Sequence, residues 1–234
     1  AHKIYLQHGQ LYYNYNHFDD ALVAFQNVIK VYPNTESADR SRHLILDIYN
    51  IKKDWVALEK TAESYLTVAR FATPENKATL LELIQGAIFQ QGKEKEEKNE
   101  FVPAAQIFES LVARYPSSKY ADKALFNAAI DYIKADRADK AIQVSSQFLQ
   151  KYPNSDLAPQ MLIALATYFD EKLDYPNTAR YYELYASKDP KSASAPDALF
   201  NAAVFREQLG QYNQAIANYQ SHEKAYPTSE DRMT

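Results

Sequence analysis

The sequence predicts an all-α protein, a solenoid of about six antiparallel helix-turn-helix units, and three observations predict it. The first is a repeat. Ala124-Leu-Phe-Asn-Ala-Ala129 recurs unchanged as Ala198-Leu-Phe-Asn-Ala-Ala203, and Ala141-Ile142 recurs as Ala215-Ile216, both 74 residues on, with a weaker copy at Thr178-Ala179 halfway between. A fixed period of roughly 20–50 residues marks stacked supersecondary units that cannot bury an apolar face alone. The second is helical spacing: Ala138, Ala141, Ile142, Ser145, Phe148, Leu149 and Tyr152 fall on one face of a 3.6-residue helix, and Pro153 ends it. The third is composition. The chain has 4 glycines and 19 tyrosines among 234 residues, and it lacks the turn signals that a β-sandwich needs every roughly 8–12 residues.

The residue opening each second helix serves as a register mark: Ala21, Leu58, Ala104, Ala141, Thr178 and Ala215, spaced by 37, 46, 37, 37 and 37. Three residues before it stand Phe18, Trp55, Phe101, Ala138, Tyr175 and Tyr212, and four after it Phe25, Ala62, Phe108, Ser145, Tyr182 and Tyr219. Twelve after it, five copies have proline (Pro33, Pro116, Pro153, Pro190, Pro227); the second has Arg70 and reaches Pro74 late. The units therefore run over about 2–35, 36–72, 73–116, 117–153, 154–190 and 191–227 of one solenoid covering 1–234.

Proline bars continuation of each second helix. The Ser or Thr that follows it (Thr35, Ser118, Ser155, Ser192, Thr228) is expected to cap the next helix. Asp19-Asp20 opens a helix, where carboxylates offset the dipole. The nine extra residues of the third unit are expected partly after Arg70 and partly in the turn from Gly92 to Glu100, whose charges read as a solvated helix extension. Residues 228–234 read as the start of a truncated further first helix. Solenoids need polar capping ends, so the chain is expected to be a piece of a longer array.

Composition narrows function by exclusion. A net charge of −4 gives no basic face for nucleic acid. Without cysteine there is no disulfide, thiolate metal site or Cys nucleophile. The histidines (His2, His8, His17, His43, His222) show no zinc spacing. The isolated glycines build no phosphate loop, and Ser145-Ser146 has neither a Gly elbow nor a nearby His. No catalytic residue, metal or cofactor is expected. Tyr12, Tyr32, Tyr49, Tyr115, Tyr132, Tyr152, Tyr182, Tyr219 and Tyr226 fall in the repeat frame and are assigned to packing. Tyr13, Tyr15, Tyr120, Tyr181 and Tyr185 are expected to be freer to lie on a surface.

Tyr5, Gly9, Tyr12, Ala21, Phe25 and Pro33 stand at offsets that resemble the tetratricopeptide repeat. The link Tyr115-Pro-Ser-Ser-Lys-Tyr-Ala121, matched by Tyr152-Pro-Asn-Ser-Asp-Leu-Ala158, resembles a bacterial envelope subgroup. That subgroup includes BamD-like outer-membrane lipoproteins, the Tol-Pal-associated periplasmic coordinator and lipoproteins of motility and secretion machines. The resemblance implies a right-handed α-solenoid in the periplasm or at the outer membrane of a Gram-negative bacterium. It also implies a non-enzymatic scaffold that binds a peptide or protein in its concave groove, with a lipid anchor outside this chain as the one link to a membrane.

In such arrays the first helices line the groove. The expected positions are Lys3, Leu6, Gln7, Gln10 and Tyr13, then Arg40, His43, Leu44, Asp47 and Asn50. The fourth to sixth units offer Phe126, Asn127 and Ile130; Ile163 and Thr167; Phe200, Asn201 and Val204 as the partner-binding set. A carboxamide both donates and accepts, so Asn127 and Asn201 suit the backbone of a bound peptide, with Phe126 and Phe200 beside them as apolar contacts. The competing reading assigns the amides and rings to packing inside the solenoid. Leu6 and Gln10 stand where a carboxylate clamp needs Lys and Asn, so capture of C-terminal peptides of that type is not expected. Two further readings are a helical regulatory or targeting region of a larger cell-wall-active or other enzyme, and self-association through exposed array ends.

Overall fold

The structure, a computed structural model, describes residues 1–227. Among them there are twelve helices and no strand: α1 (His2–Asn14), α2 (Phe18–Val31), α3 (Glu36–Ile51), α4 (Trp55–Leu66), α5 (Pro74–Glu97), α6 (Phe101–Arg114), α7 (Ala121–Lys134), α8 (Ala138–Lys151), α9 (Ala158–Glu171), α10 (Tyr175–Lys188), α11 (Ala195–Gln208) and α12 (Tyr212–Ala225). They form the six expected hairpins, in two compact units that meet in sequence between Ala121 and Asp122. The further helix expected at 228–234, and Thr228 as a cap, lie outside the described residues.

Each hairpin closes on one residue with left-handed backbone: Asn16, Lys53, Asn99, Asp136, Leu173 and Gly210, with φ between 52° and 69°. Each stands five residues before its register mark. The next N–H donates back to a carbonyl five residues earlier, from His17 to Tyr12, Asp54 to Tyr49, Glu100 to Lys95, Arg137 to Tyr132, Asp174 to Phe169 and Gln211 to Arg206, at 2.9 Å in every case. This bond satisfies a carbonyl that the end of a helix leaves bare. Only Gly210 takes up this backbone without steric cost.

The register marks are the seams. Ala21, Ala104, Ala141 and Thr178 are fully buried, and Leu58 and Ala215 nearly so. In the first unit Ala21 and Phe25 of α2 pack with Leu44, Ile45 and Ile48 of α3. Burying each of the larger side chains contributes roughly 1.5–3 kcal/mol. Helices pack this closely where side chains vanish. A Cβ on Gly9 would come within 2.6 Å of the Phe25 ring, and one on Gly92 within 2.5 Å of the Phe108 ring.

Gly9 and Gly92 both stand twelve residues before their register marks, which fixes the register of the third unit. The turn from Glu97 to Glu100 matches the other turns in length, and none of the nine extra residues lies in it, contrary to expectation. They lengthen the start of α5, which has 24 residues against 14 in α7. The charged run is the last part of α5 and is tied down by Lys93–Glu96 and Lys95–Glu100 ion pairs, with Gly92 buried beside it.

The post-proline Ser and Thr do not all cap. Thr35 does, accepting from Ala38 N–H at 3.3 Å. α9 starts three residues after Ser155 and α11 three after Ser192, capped by Leu157 and Ser194. Ser118 and Ser155 instead brace the link, their hydroxyls accepting from Tyr120 and Leu157 N–H two residues on. Asp54, Thr73 and Asp174 are side-chain caps that the repeat did not mark. The second unit of the repeat, which lacks proline at Arg70, is closed by Arg42. This buried guanidinium bonds Asp39 (2.8 Å) and the Pro33 carbonyl (3.3 Å) and lies over the Tyr65 and Phe71 rings.

Gly92→Ala is expected to lower stability by about 1–2 kcal/mol in urea unfolding, overpacking outweighing the gain in helix propensity. Gly86→Ala, whose Cβ would meet nothing nearer than 3.6 Å, should hold or raise the midpoint. Leu173 is exposed, so Leu173→Gly forfeits no packing; it should raise stability by about 0.5–1 kcal/mol, relief of left-handed strain exceeding the added chain entropy.

Candidate partner-binding face

The first helices of the second unit bury one side and leave the other open. α7 buries Ala124, Leu125, Ala128, Ala129 and Tyr132; α9 buries Met161, Leu162, Leu165 and Ala166; α11 buries Ala198, Ala202 and Ala203. The open faces carry all eight residues of the predicted set. Phe126, Asn127, Ile130, Ile163, Phe200 and Val204 are half-buried, and Thr167 and Asn201 are exposed.

A hydrogen bond and an ion pair are among the contacts that link the α7 hairpin to the α9 hairpin. The Ser155 hydroxyl donates to Asp122 at 3.1 Å near the start of the helices, and Lys172 Nζ meets Asp136 at 2.5 Å near their ends. The rings are anchored in their own hairpins. Phe126 sets its edge on Phe148 (5.8 Å), and Phe200 packs on Tyr219 (5.6 Å) and His222 (5.7 Å). The packing reading thus holds for one side of each ring, while the helices leave both rings partly open. Among the described residues neither Asn127 nor Asn201 makes a side-chain hydrogen bond.

In the first unit, positions assigned to the groove meet across neighbouring hairpins. The Tyr13 hydroxyl of α1 donates to the Asp47 carboxylate of α3, a bond that, with burial, raises the phenol pKa. Leu44 does not line a face; it belongs to the core with Phe25 and Ile48. His43 is half-buried against Phe71 (4.8 Å), and burial, reinforced by the charge of Arg40, lowers its pKa and favours the neutral ring. Phe89 was missed. It occupies the same repeat position as Phe126 and Phe200 and packs on Phe108 and Tyr120, both at 5.3 Å. The pairing of Gly92 with Phe108 was the sequence signal that could have found it.

Two tyrosines expected at the surface are buried. Tyr181 stacks on Phe169 at 5.4 Å, and Tyr185 bonds Ser192 at 2.9 Å. Tyr15 is exposed, and Tyr13 and Tyr120 are half-buried. Among the described residues no group of three or more His, Asp or Glu side chains is placed to hold a metal ion, and no helix is long and apolar enough to cross a membrane.

A polar clasp supports α11 from behind. Arg206 Nε and Nη2 donate to the two carboxylate oxygens of Glu183, each at 2.8 Å, and Asn218 adds a bond of 2.8 Å. Burial alone would raise the Glu183 pKa, but the bonds from Arg206 and Asn218 and the Arg206 charge hold it below the ordinary 4.5.

Helical hairpins carrying the tetratricopeptide residue pattern, at a period three residues longer than the usual one of about 34, define the class. The sequence profile of that repeat matches residues 4–35. The profile of YfiO, an outer membrane lipoprotein family, matches residues 82–234, and the chain belongs to that family. The expected BamD-like kinship is thereby confirmed. No curated protein sequence matches significantly. Solved structures with a similar course include PilW, a widely conserved type IV pilus biogenesis factor (16% identity, TM-score 0.45, covering 98% of this chain and 95% of that one). Others are PilF of Pseudomonas aeruginosa (14%, 0.41, 98% and 93%) and BtubC of P. vanneervenii (10%, 0.48, 100% and 94%). Membership makes the chain a protein-interaction scaffold of the cell envelope, periplasmic or outer-membrane-associated; families of this kind are typically non-enzymatic.

The Glu183 pair gives a pH dependence with a definite sign. A carboxylate whose native pKa is depressed adds stability above its unfolded pKa and loses it as pH falls through the native value. Arg206→Met should therefore cost about 1–3 kcal/mol at neutral pH. The gap to wild type in urea midpoints should narrow once Glu183 is protonated in acid.

Proposed function

We propose that the chain holds a peptide or protein partner along the open faces of α7, α9 and α11, as one component of a multi-protein envelope machine. The observation that carries this is the partner-ready mixture on those faces. Half-open Phe126, Ile130, Ile163, Phe200 and Val204 alternate with Asn127, Thr167 and Asn201, none of them closed off by its own fold. Apolar side chains that stay partly in water gain when a partner covers them. Carboxamides pair with peptide backbone and thereby tolerate varied sequence. Lys123, Asp170, Asp197 and Glu207 stand at the exposed or half-exposed rim of the same faces, where charge governs orientation and on-rate more than affinity.

The test is site-specific photo-crosslinking in envelope preparations. A crosslinker at Ile130, Thr167 or Val204 should trap a common partner, while one at exposed Gln143 on α8 should not. Phe126→Ala/Asn127→Ala should weaken binding of that partner by about tenfold or more. Equal crosslinking at Gln143, or unchanged affinity of the double variant, would remove the face from the function.

A further inference from the structure

In five of the six hairpins the second helix opens on an aromatic residue: Phe18 of α2, Trp55 of α4, Phe101 of α6, Tyr175 of α10 and Tyr212 of α12. Two of these rings show what the position does. Phe18 packs on the cluster of Ile45 and Ile48 of α3, and Tyr175 stacks on Phe205 of α11 with ring centroids at 5.4 Å. Ile48 and Phe205 both stand ten residues before their register marks. In the fourth hairpin the pattern breaks. α8 opens on Ala138, and the residue ten before the next mark, Tyr168 of α9, receives no ring from that position.

The space is an open cleft of about 430 Å³, lined by Ala138 and Ile142 of α8, Tyr168 and Phe169 of α9, and the exposed Asp136 and Lys172. A cavity of roughly 150 Å³ suffices for one benzene ring. The opening is internal to the stack, since α7 precedes α8 and α10 follows α9. Ile142 holds the position of Leu22, which packs on the α3 cluster, so the apolar wall persists although its ring is gone. Lys172 Nζ lies over the Tyr168 ring at 5.6 Å, and an ammonium in the wall favours an aromatic guest over an aliphatic one. Tyr168 is 4% exposed, and its hydroxyl makes no hydrogen bond among the described residues; the same holds for buried Ser145 of α8. Buried hydroxyls are normally paired, and departures from such rules gather at functional sites.

We propose that the α8/α9 cleft takes an aromatic side chain presented by a partner protein, which fills from outside the position that Phe18 and Tyr175 fill from within. The occupant follows from the repeat: the chain itself uses Phe, Trp or Tyr at this place in every other hairpin. One ring seated in a walled cleft acts as an anchor, the kind of contact that dominates an interface. The site is separate from the open faces of α7, α9 and α11, because none of the eight residues assigned to those faces lines it.

The test is a titration followed in amide NMR spectra, with N-acetyltyrosinamide as the peptide-borne ring, N-acetylleucinamide as the aliphatic control and p-cresol as the free ring. N-acetyltyrosinamide should shift Ala138, Ile142 and Lys172 saturably, and N-acetylleucinamide should bind about fivefold more weakly. Ala138→Phe restores the residue type of Phe18 and Phe101; it should melt no lower than wild type and abolish the shifts. Ile142→Asp, at an exposed wall position, should weaken them without unfolding the chain. No saturable shift, equal binding of the leucine amide, an Ala138→Phe variant that melts lower, or shifts unchanged in both variants would each overturn the proposal. Binding of p-cresol without N-acetyltyrosinamide would also overturn it, leaving the cleft to a free aromatic molecule.

Discussion

Each hairpin depends on a reversal made by a single residue. The chain leaves a helix, passes one residue in left-handed backbone and re-enters a helix, with the same 2.9 Å carbonyl bond locking every copy. That geometry sets where the second helix begins, and so where the buried register mark meets the first helix. Asn, Lys, Asp and Leu accept a backbone they disfavour because the seam beyond the turn holds them there. The identity of the turn residue is therefore nearly free, while its position is not.

This explains which parts of the fold were legible. Positions dictated by packing recur in the sequence, so Ala21, Ala141 and Ala215 marked the hairpins. Positions dictated by backbone geometry do not: six residues of five types share the left-handed site, and no letter announces it. The third unit was misplaced for a related reason. A repeat read by its marks shows that nine residues were added but not where. The location followed only from Gly92 against the Phe108 ring, a contact between residues sixteen apart. The serines after proline misled because Ser serves a turn as readily as a helix start. Ser155 braces the link, and Leu157 takes the cap position.

The candidate face was legible to the extent that it is the complement of the core. Once the buried alanines of α7, α9 and α11 are placed, the opposite side of each helix is fixed by the helical period. Leu44 is the exception: α3 packs on two sides and buries Leu44 as well as Ile45 and Ile48. Tyr181 and Tyr185 were misjudged in the same direction, since Tyr181 stacks on Phe169 and Tyr185 bonds Ser192. The Arg206–Glu183 clasp left no sequence signal, because it is a polar solution at a position where the other hairpins use Tyr, Phe or a lysine stem.

The contacts tying neighbouring hairpins differ in kind from seam to tip. Ala21 and Ala141 lie in dry seams, whereas Lys52–Asp19 and Lys172–Asp136 are ion pairs at the turns, open to solvent. Dissolved ions screen exposed pairs over about 8 Å at physiological strength and leave buried apolar contact nearly untouched. Rising salinity thus weakens the ties at the turns and leaves the buried seams to hold neighbouring hairpins together.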